Sequence, residues 1–374
     1  MVPAGWEASS MRVLVTGHRG YIGSVLVSVL QHARHEVVGL DCDWYGDCDF
    51  GRVRDSIPSF EMDVRDVEFT DLLSFDAVIH LAAMPEDPSS QFDSSLTEEI
   101  NFAATLRLAE CCKQASVSRF LFASTCAVYG SGGGDPQNES GATAPITPYA
   151  VAKLRCEEEL SRLSGRGFVP VVLRNATVYG VSPRLRLDTV VNEFVGSAVA
   201  NGRVEMRTEG RAWRPLMHVE DVARAYAMVL AAADDAVADQ IFNVTITEEN
   251  YRVSDVADCV AELVPDCTRS VRTGVRDQRS YCVDGSKLRR AFPHLTWRWT
   301  LPQGIRQLRA AMLGAGLTAG EWRSDRYRRL LRLSTLMERG ELDPSLRRPE
   351  SSPDSLRLST GALPVDRLDT RDVH

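Results

Sequence analysis

Short apolar runs alternate with amphipathic stretches along the first two thirds of the chain. Residues 12–16, Arg-Val-Leu-Val-Thr, have the length of a buried strand. Ser24 to Gln31 follows with apolar positions at Val25, Leu26, Val29 and Leu30, the spacing of a helix. Glu36 to Leu40 predicts a second strand, closed by Asp41, and Met62-Asp63-Val64 stands where a third should end. Asp76 to Ala83 is nearly all apolar, as a parallel strand covered on both faces must be. Asn101 to Cys112 predicts an amphipathic helix, Arg119 to Ala123 a fifth strand, and Val169 to Leu173 a sixth. Strand and helix alternating in this way predict an α/β, doubly wound parallel sheet, whose ligands bind at the carboxyl ends of the strands. Gly17, Asp41, Ala83, Thr125 and Asn175 all fall at or just past such ends.

Composition narrows the class. A chain of 374 residues with 44% hydrophobic and 25% charged residues can bury a sizeable core and reads as a soluble globular protein. The net charge of -8 argues against nucleic acid as partner. Nine cysteines at irregular spacings, with no Cys-x-x-Cys pair, predict free thiols in a reducing cytoplasm and no metal site. No stretch approaches the ~18 apolar residues of a membrane span, and Met1 to Ser10 holds no signal-peptide run, so 1–10 is expected to be a disordered leader.

Two patterns carry chemistry. Gly17-His18-Arg19-Gly20-Tyr21-Ile22-Gly23 lies between the first strand and its helix, where glycines let the backbone approach a pyrophosphate resting on the helix N-terminus. Asp41 closes the second strand as the expected acceptor for adenosine ribose hydroxyls. No arginine follows it immediately, which favours NAD over NADP. The second pattern is Tyr149 and Lys153, at i and i+4 just after Pro148, which can open a helix. An ammonium beside a phenol favours the phenolate, so Tyr149 could act as a base below the usual value of about 10. The chain has only three lysines, Lys113, Lys153 and Lys287, which suggests that lysine is kept where a compact, tunable ammonium is needed.

With these residues in hand the chain resembles the extended short-chain dehydrogenase/reductases of the nucleotide-sugar epimerase/dehydratase family. The matching pieces are Thr16 to Gly23, Asp63-Val64, His80-Leu81-Ala82-Ala83, Ser124-Thr125 with Val128-Tyr129-Gly130, and Tyr149 with Lys153. Arg214 to Asp221 and Tyr281 to Lys287 match as well, all in the family's order between about residues 11 and 312. The resemblance implies a Rossmann-type domain at 11–180 with a return segment at about 217–245. It implies a smaller nucleotide-sugar domain at 181–216 and 246–312, a tightly held NAD, and a homodimer. The expected cofactor-binding residues are Gly17, Gly20, Tyr21, Ile22, Gly23, Asp41, Asp63, Val64, Leu81, Ala82, Ala83, Tyr149 and Lys153. The expected substrate contacts are Met84, Thr125, Asn175, Thr177, Arg186, Arg214 and Arg279, with Arg276 a further guanidinium suited to a diphosphate.

The implied reaction begins with Tyr149 taking a proton from a sugar hydroxyl bonded to Thr125, as hydride leaves C4 for NAD. Its second half is open. The family's 4,6-dehydratases carry Asp then Glu after the threonine; here stand Cys126 and Ala127, which argues against water elimination. Cys126 is either an acid/base or a packed small hydrophobe. Thr177 replaces an asparagine common in the family, and the loop Met84 to Gln91 faces the sugar, with Glu86 and Asp87 as candidate bases. An epimerase is therefore expected, with a 4-ketoreductase/dehydrogenase, an atypical dehydratase or a non-catalytic NAD-binding scaffold as rivals. Residues 313–345 form a helical extension outside the family pattern, with Trp322 to Arg339 as a basic amphipathic helix. It is expected either to pack on the protein or to meet a membrane or partner. Residues 346–374, rich in Ser, Pro, Asp and Arg from Pro349 onward, are expected to be disordered.

Overall fold

Seven parallel strands make the central sheet of the computed structural model, which describes residues 10–51, 57–86, 92–271 and 279–349, and the backbone of 358–359. They are β1 (Arg12–Thr16), β2 (Glu36–Asp41), β3 (Ser59–Glu61), β4 (Ala77–His80), β5 (Arg119–Thr125), β6 (Val169–Asn175) and β7 (Ile241–Val244). Their order is β7-β6-β5-β4-β1-β2-β3, so the winding reverses between β1 and β4. All residues of β4 and β6 are buried, which explains their unbroken apolar runs. One face of the sheet packs Val13, Ile79, Leu121 and Val171 under the helices Gly23–His32 (α1) and Val219–Leu230. The other packs Leu14, Val78, Phe120 and Val172 under Ala104–Gln114 and Pro148–Leu163.

Register decides where function can sit. Thr16 pairs with both Leu40 and His80, His80 with Phe122, and Thr125 with Asn175. The strand ends that carry the sequence motifs therefore lie side by side. A further apolar cluster, including Leu185, Val191, Phe194, Val256, Ile305 and Leu308, joins the segments on either side of the return through β7.

Three expectations are corrected. The helix expected from Asn101 is interrupted: Ser94–Thr97 is α-helical, Glu98–Ala103 widens to a π-turn, and Ala104–Gln114 resumes. The Asn101 carbonyl there receives the Thr105 hydroxyl at 2.8 Å and the Cys156 thiol at 3.2 Å, bonds that the widened turn accommodates. The extension is not one helix. Ala319–Arg323 ends at Ser324, whose side chain caps a 3₁₀ turn, and Arg329–Glu338 begins anew. The cause is external, because the Tyr327 carbonyl is taken by Leu187 N and Arg329 N is taken by Asp188. Finally, the expected disordered tail does not begin at 346: Leu346 is fully buried beside Trp44, Met84 and Leu342. Residues 358–359 run antiparallel along β3. Residues 1–9, Asp87 to Gln91, Arg276 and the rest of the tail lie outside the described residues. No helix among the described residues is long and apolar enough to cross a membrane.

Candidate active site

The glycine turn is shaped by contacts that only glycine permits. Gly17 has φ +72°, donates to the Leu40 carbonyl at 2.8 Å, and a Cβ there would stand 2.7 Å from Ala82 N. A Cβ on Gly23 would stand 2.2 Å from the Gly17 carbonyl. Helix α1 opens at Ile22 with no side-chain acceptor, which leaves its N-terminal dipole facing the turn. Behind the turn, His80 bridges the Thr16 hydroxyl at 2.7 Å and the Thr105 hydroxyl at 2.9 Å. Burial, helped by the nearby Lys153, holds its ring neutral with a pKa near 3. The turn, the α1 terminus and the end of β2 thus fit a dinucleotide, on the chain's own geometry.

The carboxylate of Asp41 accepts from Arg19 N at 3.0 Å and Asp43 N at 2.9 Å, and burial raises its pKa. Arg19 itself pairs with Asp43 at 2.9 Å. Asp63 is engaged by Arg65, through the backbone at 2.9 Å and the guanidinium at 2.6 Å, while Val64 is buried. Leu81, Ala82 and Ala83 follow β4 beside the turn, with Leu81 N on the Thr16 carbonyl and Ala82 N on the Thr16 hydroxyl. The Tyr21 side chain turns away from the turn: its hydroxyl donates to the Gly180 carbonyl at 2.7 Å and accepts from Asn192 at 3.1 Å. Ile22 packs against the core. The side chains of these two residues are thus engaged away from the turn, to which they contribute backbone.

Tyr149 and Lys153 sit on one face of the helix Pro148–Leu163, with Thr147 capping Ala150 N at 3.2 Å and Pro148 opening the first turn. Lys153 Nζ lies 4.6 Å from the centre of the Phe122 ring and 5.8 Å from that of Tyr149. Burial lowers its pKa to about 8. The Tyr149 phenol is pushed up by burial and then by the Glu86 carboxylate, with Arg186 opposing.

Lys153 yields a test with a sign. Its folded value lies below the usual 10.5, so the unfolded chain binds more protons between pH 8 and 10.5. Stability contributed at this site is therefore lowest below pH 8 and rises through that window. Lys153→Met is expected to be more stable than the parent at pH 7 by up to about 3 kcal/mol, the gap closing towards pH 10.5. Urea melts at both pH values check it; a gap independent of pH sinks the idea.

Thr125 ends β5 and caps the next turn, its Oγ accepting from Ala127 N at 3.1 Å. Cys126 is buried, its thiol donates to the Arg174 carbonyl at 3.2 Å, and burial raises its pKa. That setting keeps the thiol protonated and turned from the cleft, against the catalytic role considered for it. Met84 is fully buried among Trp44, Leu96 and Leu333, with its backbone clamped by Asn101 at 2.7 and 3.0 Å, so its side chain does not face a sugar. Asn175 donates to Tyr226 at 2.8 Å and to the Ser124 carbonyl, while its own buried carbonyl oxygen meets no donor among the described residues. Thr177 opens the strand Thr177–Tyr179.

The three expected arginines are all engaged. Arg186 pairs with Asp188 at 2.7 Å, Arg214 donates to the carbonyls of Trp213 and Arg279, and Arg279 pairs with Glu86 at 2.7 Å. Glu86 also receives the Thr147 hydroxyl at 3.1 Å, which holds its carboxylate beside the helix that carries Tyr149.

One network escaped sequence reasoning. Glu157, one turn beyond Lys153, pairs with Arg174 at 2.7 Å with both side chains almost wholly buried. Ser124 donates to Glu157, Arg174 to the Tyr129 hydroxyl at 2.9 Å, and Tyr129 to Asn243 at 2.7 Å. The network joins β5, β6, β7 and the Tyr149 helix directly beneath the site. An arginine inside an otherwise apolar strand, Val169–Asn175, was the signal available for it.

The chain is similar to several known proteins. UDP-glucose 4-epimerase of Azospirillum brasilense is 31% identical over 245 residues, 60% of this chain and 69% of the relative. The structure of MoeE5 in complex with UDP-glucuronic acid and NAD has a TM-score of 0.70 and 28% identity, covering 81% of this chain and 99% of that one. The NAD-dependent NDP-hexosamine 5,6-dehydratase TunA, at 21% identity and a TM-score of 0.73 over 82% of this chain and 98% of its own, shares the fold. The description "NAD dependent epimerase/dehydratase family" matches residues 13–245, which take in the whole sheet and the Tyr149 helix, and the chain belongs to that family.

Proposed function

We propose that this protein is an NAD-dependent nucleotide-sugar epimerase that works through transient oxidation at C4. The observation that carries the reading is that Lys153, on the helix of Tyr149, lies 4.6 Å from the ring of Phe122 in β5 and 5.8 Å from that of Tyr149, while the two residues after Thr125 at the end of that strand are no carboxylic acids. NAD, held by the glycine turn and Asp41, supplies the hydride acceptor. Tyr149 takes the hydroxyl proton as the C–H electron pair leaves, and Thr125 orients that hydroxyl. Lys153, close to its titration point near neutral pH, supplies the cation of the pair. Bound there, NAD would accept hydride and return it, and return to the other face of the ketone would invert the carbon.

Cys126 and Ala127 support epimerisation over dehydration, since neither can serve as the acid and base that water elimination uses. Glu86 is the carboxylate that would serve an enolising variant, and it stands ready beside Thr147. Exposed Ile146 and Val151 at the start of the Tyr149 helix support the homodimer, and nine unpaired cysteines a cytoplasmic setting.

Incubation with a panel of nucleotide sugars in deuterated water tests the reading. The purified protein is expected to invert one of them with no added cofactor and no solvent label. Label at C3 or C5 would move the role to Glu86, and strict consumption of external cofactor would favour a reductase or dehydrogenase.

A further inference from the structure

Arg329 comes from the extension outside the family match, yet it is carried onto the segment 184–188 and the ring of Tyr45. The helix Arg329–Glu338 starts where Asp188 Oδ2 accepts the Arg329 amide at 3.0 Å. Its side chain is 3% exposed, and one nitrogen, Nη2, donates to the carbonyls of Arg184 at 2.7 Å and Leu185 at 3.4 Å. The guanidinium lies 4.3 Å from the centre of the Tyr45 ring, four residues beyond Asp41. Its charge also reaches Tyr21 in the glycine turn and Asp188, the partner of Arg186.

Arg329, like Arg326 and Arg332, has a buried nitrogen without a partner among the described residues, but unlike them it has no carboxylate on its guanidinium. Nη1 is buried and finds no acceptor among the described residues. No carboxylate there lies within ion-pair distance of the guanidinium either, because Asp188 gives its other oxygen to Arg186 at 2.7 Å. Asp188 thus answers the guanidinium of the half-buried Arg186 but only the backbone amide of Arg329. By contrast, Arg332 is paired with Asp325 and Asp47, and Arg326 with Glu321. A buried, uncompensated donor is costly unless an anion completes it.

We propose that Arg329 is a diphosphate-binding residue that the C-terminal extension contributes to the site, its free Nη1 meeting a diphosphate oxygen beside Arg186. The inference rests on the cofactor and substrate classes proposed above. The diphosphate could belong to NAD or to the nucleotide sugar, and the chemistry is the same for both. The extension then does more than cover Trp44 and Leu96 with Leu333 and Leu336: it adds a cation to the site.

The test compares full-length Arg329→Met and Arg332→Gln with the parent. NAD retained per chain after gel filtration is measured, together with the affinity of the NAD-loaded enzyme for UDP by calorimetry. Arg329→Met is expected to weaken one ligand about ten- to a hundred-fold, the one that weakens identifying the diphosphate, while Arg332→Gln stays within threefold of the parent. Unchanged values for both ligands in Arg329→Met, or equal losses in the two variants, overturn the proposal. Should the methionine variant not fold, Arg329→Lys decides. It is expected to lose at least threefold, since one ammonium cannot serve both the carbonyls and an anion, and parent-like binding counts against the assignment. These binding readouts are independent of turnover, so a failed epimerase reading and a failed Arg329 reading are told apart.

Discussion

Tyr149→Phe is expected to lower turnover of the true nucleotide sugar by about a thousandfold, the size of a lost general base, while the protein stays folded and keeps its NAD. The substitution removes only the phenol oxygen. The ring is carried by a helix whose first turn is set by Thr147 and Pro148, so its position does not depend on that oxygen. Single-turnover kinetics should show the loss in the oxidation step, with substrate affinity within a few-fold of the parent. Because burial and Glu86 hold the phenol above its ordinary range, Glu86→Gln should move the ascending limb of the pH–rate profile, on which Tyr149 loses its proton, to lower pH in the parent background. The same substitution should do nothing to the residual rate of Tyr149→Phe. If Tyr149→Phe turned over at the parent rate, the enzymatic reading would fail.

Arg174→Met is expected to have the largest effect on stability, a loss of about 3–5 kcal/mol in urea melts, because it strands the buried Glu157 carboxylate. Ser124 still donates to Glu157, but a hydroxyl does not replace a guanidinium that engages both oxygens. Tyr129 loses its donor in the same step. The double variant Arg174→Met/Glu157→Met removes both charges and should recover most of the loss, since paired buried ions often contribute little net stability against apolar residues of similar volume. A single variant as stable as the parent would mean that water reaches Glu157 and that the network is not closed. The double variant should still lose activity, because Ser124 and the helix bearing Lys153 are no longer tied to the ends of β5 and β6.

Much of the site was legible because it is local. The strand–turn–helix at 12–31 needs no partner to be recognised, as its glycines and the acid at 41 answer to one ligand chemistry over a short span. The Tyr149–Lys153 spacing is likewise a property of one helix. What misled was side-chain direction. Met84 stands in a loop next to the cleft but points into an apolar cluster with the extension, and Tyr21 sits in the phosphate turn but reaches to Gly180. Cys126 follows Thr125 immediately, and the 3₁₀ turn at 126–129 rotates its thiol towards the Arg174 carbonyl.

The amino-acid sequence by itself determined the sheet and its winding and marked the candidate residues for the chemistry, since periodicity, turn glycines and helix spacing are encoded within a few residues of each other. Only the tertiary structure decided which charges act on Tyr149, because that depends on Glu86 and Arg186, brought there from distant loops. It also decided that the extension returns to Asp188 and Tyr45 with Arg329. A basic amphipathic helix is compatible with many surfaces, and the choice among them was made by Asp188, Tyr45 and the buried cluster around Trp44. Long-range pairing of buried charge has no signature in local spacing, and for that reason it had to be seen in three dimensions.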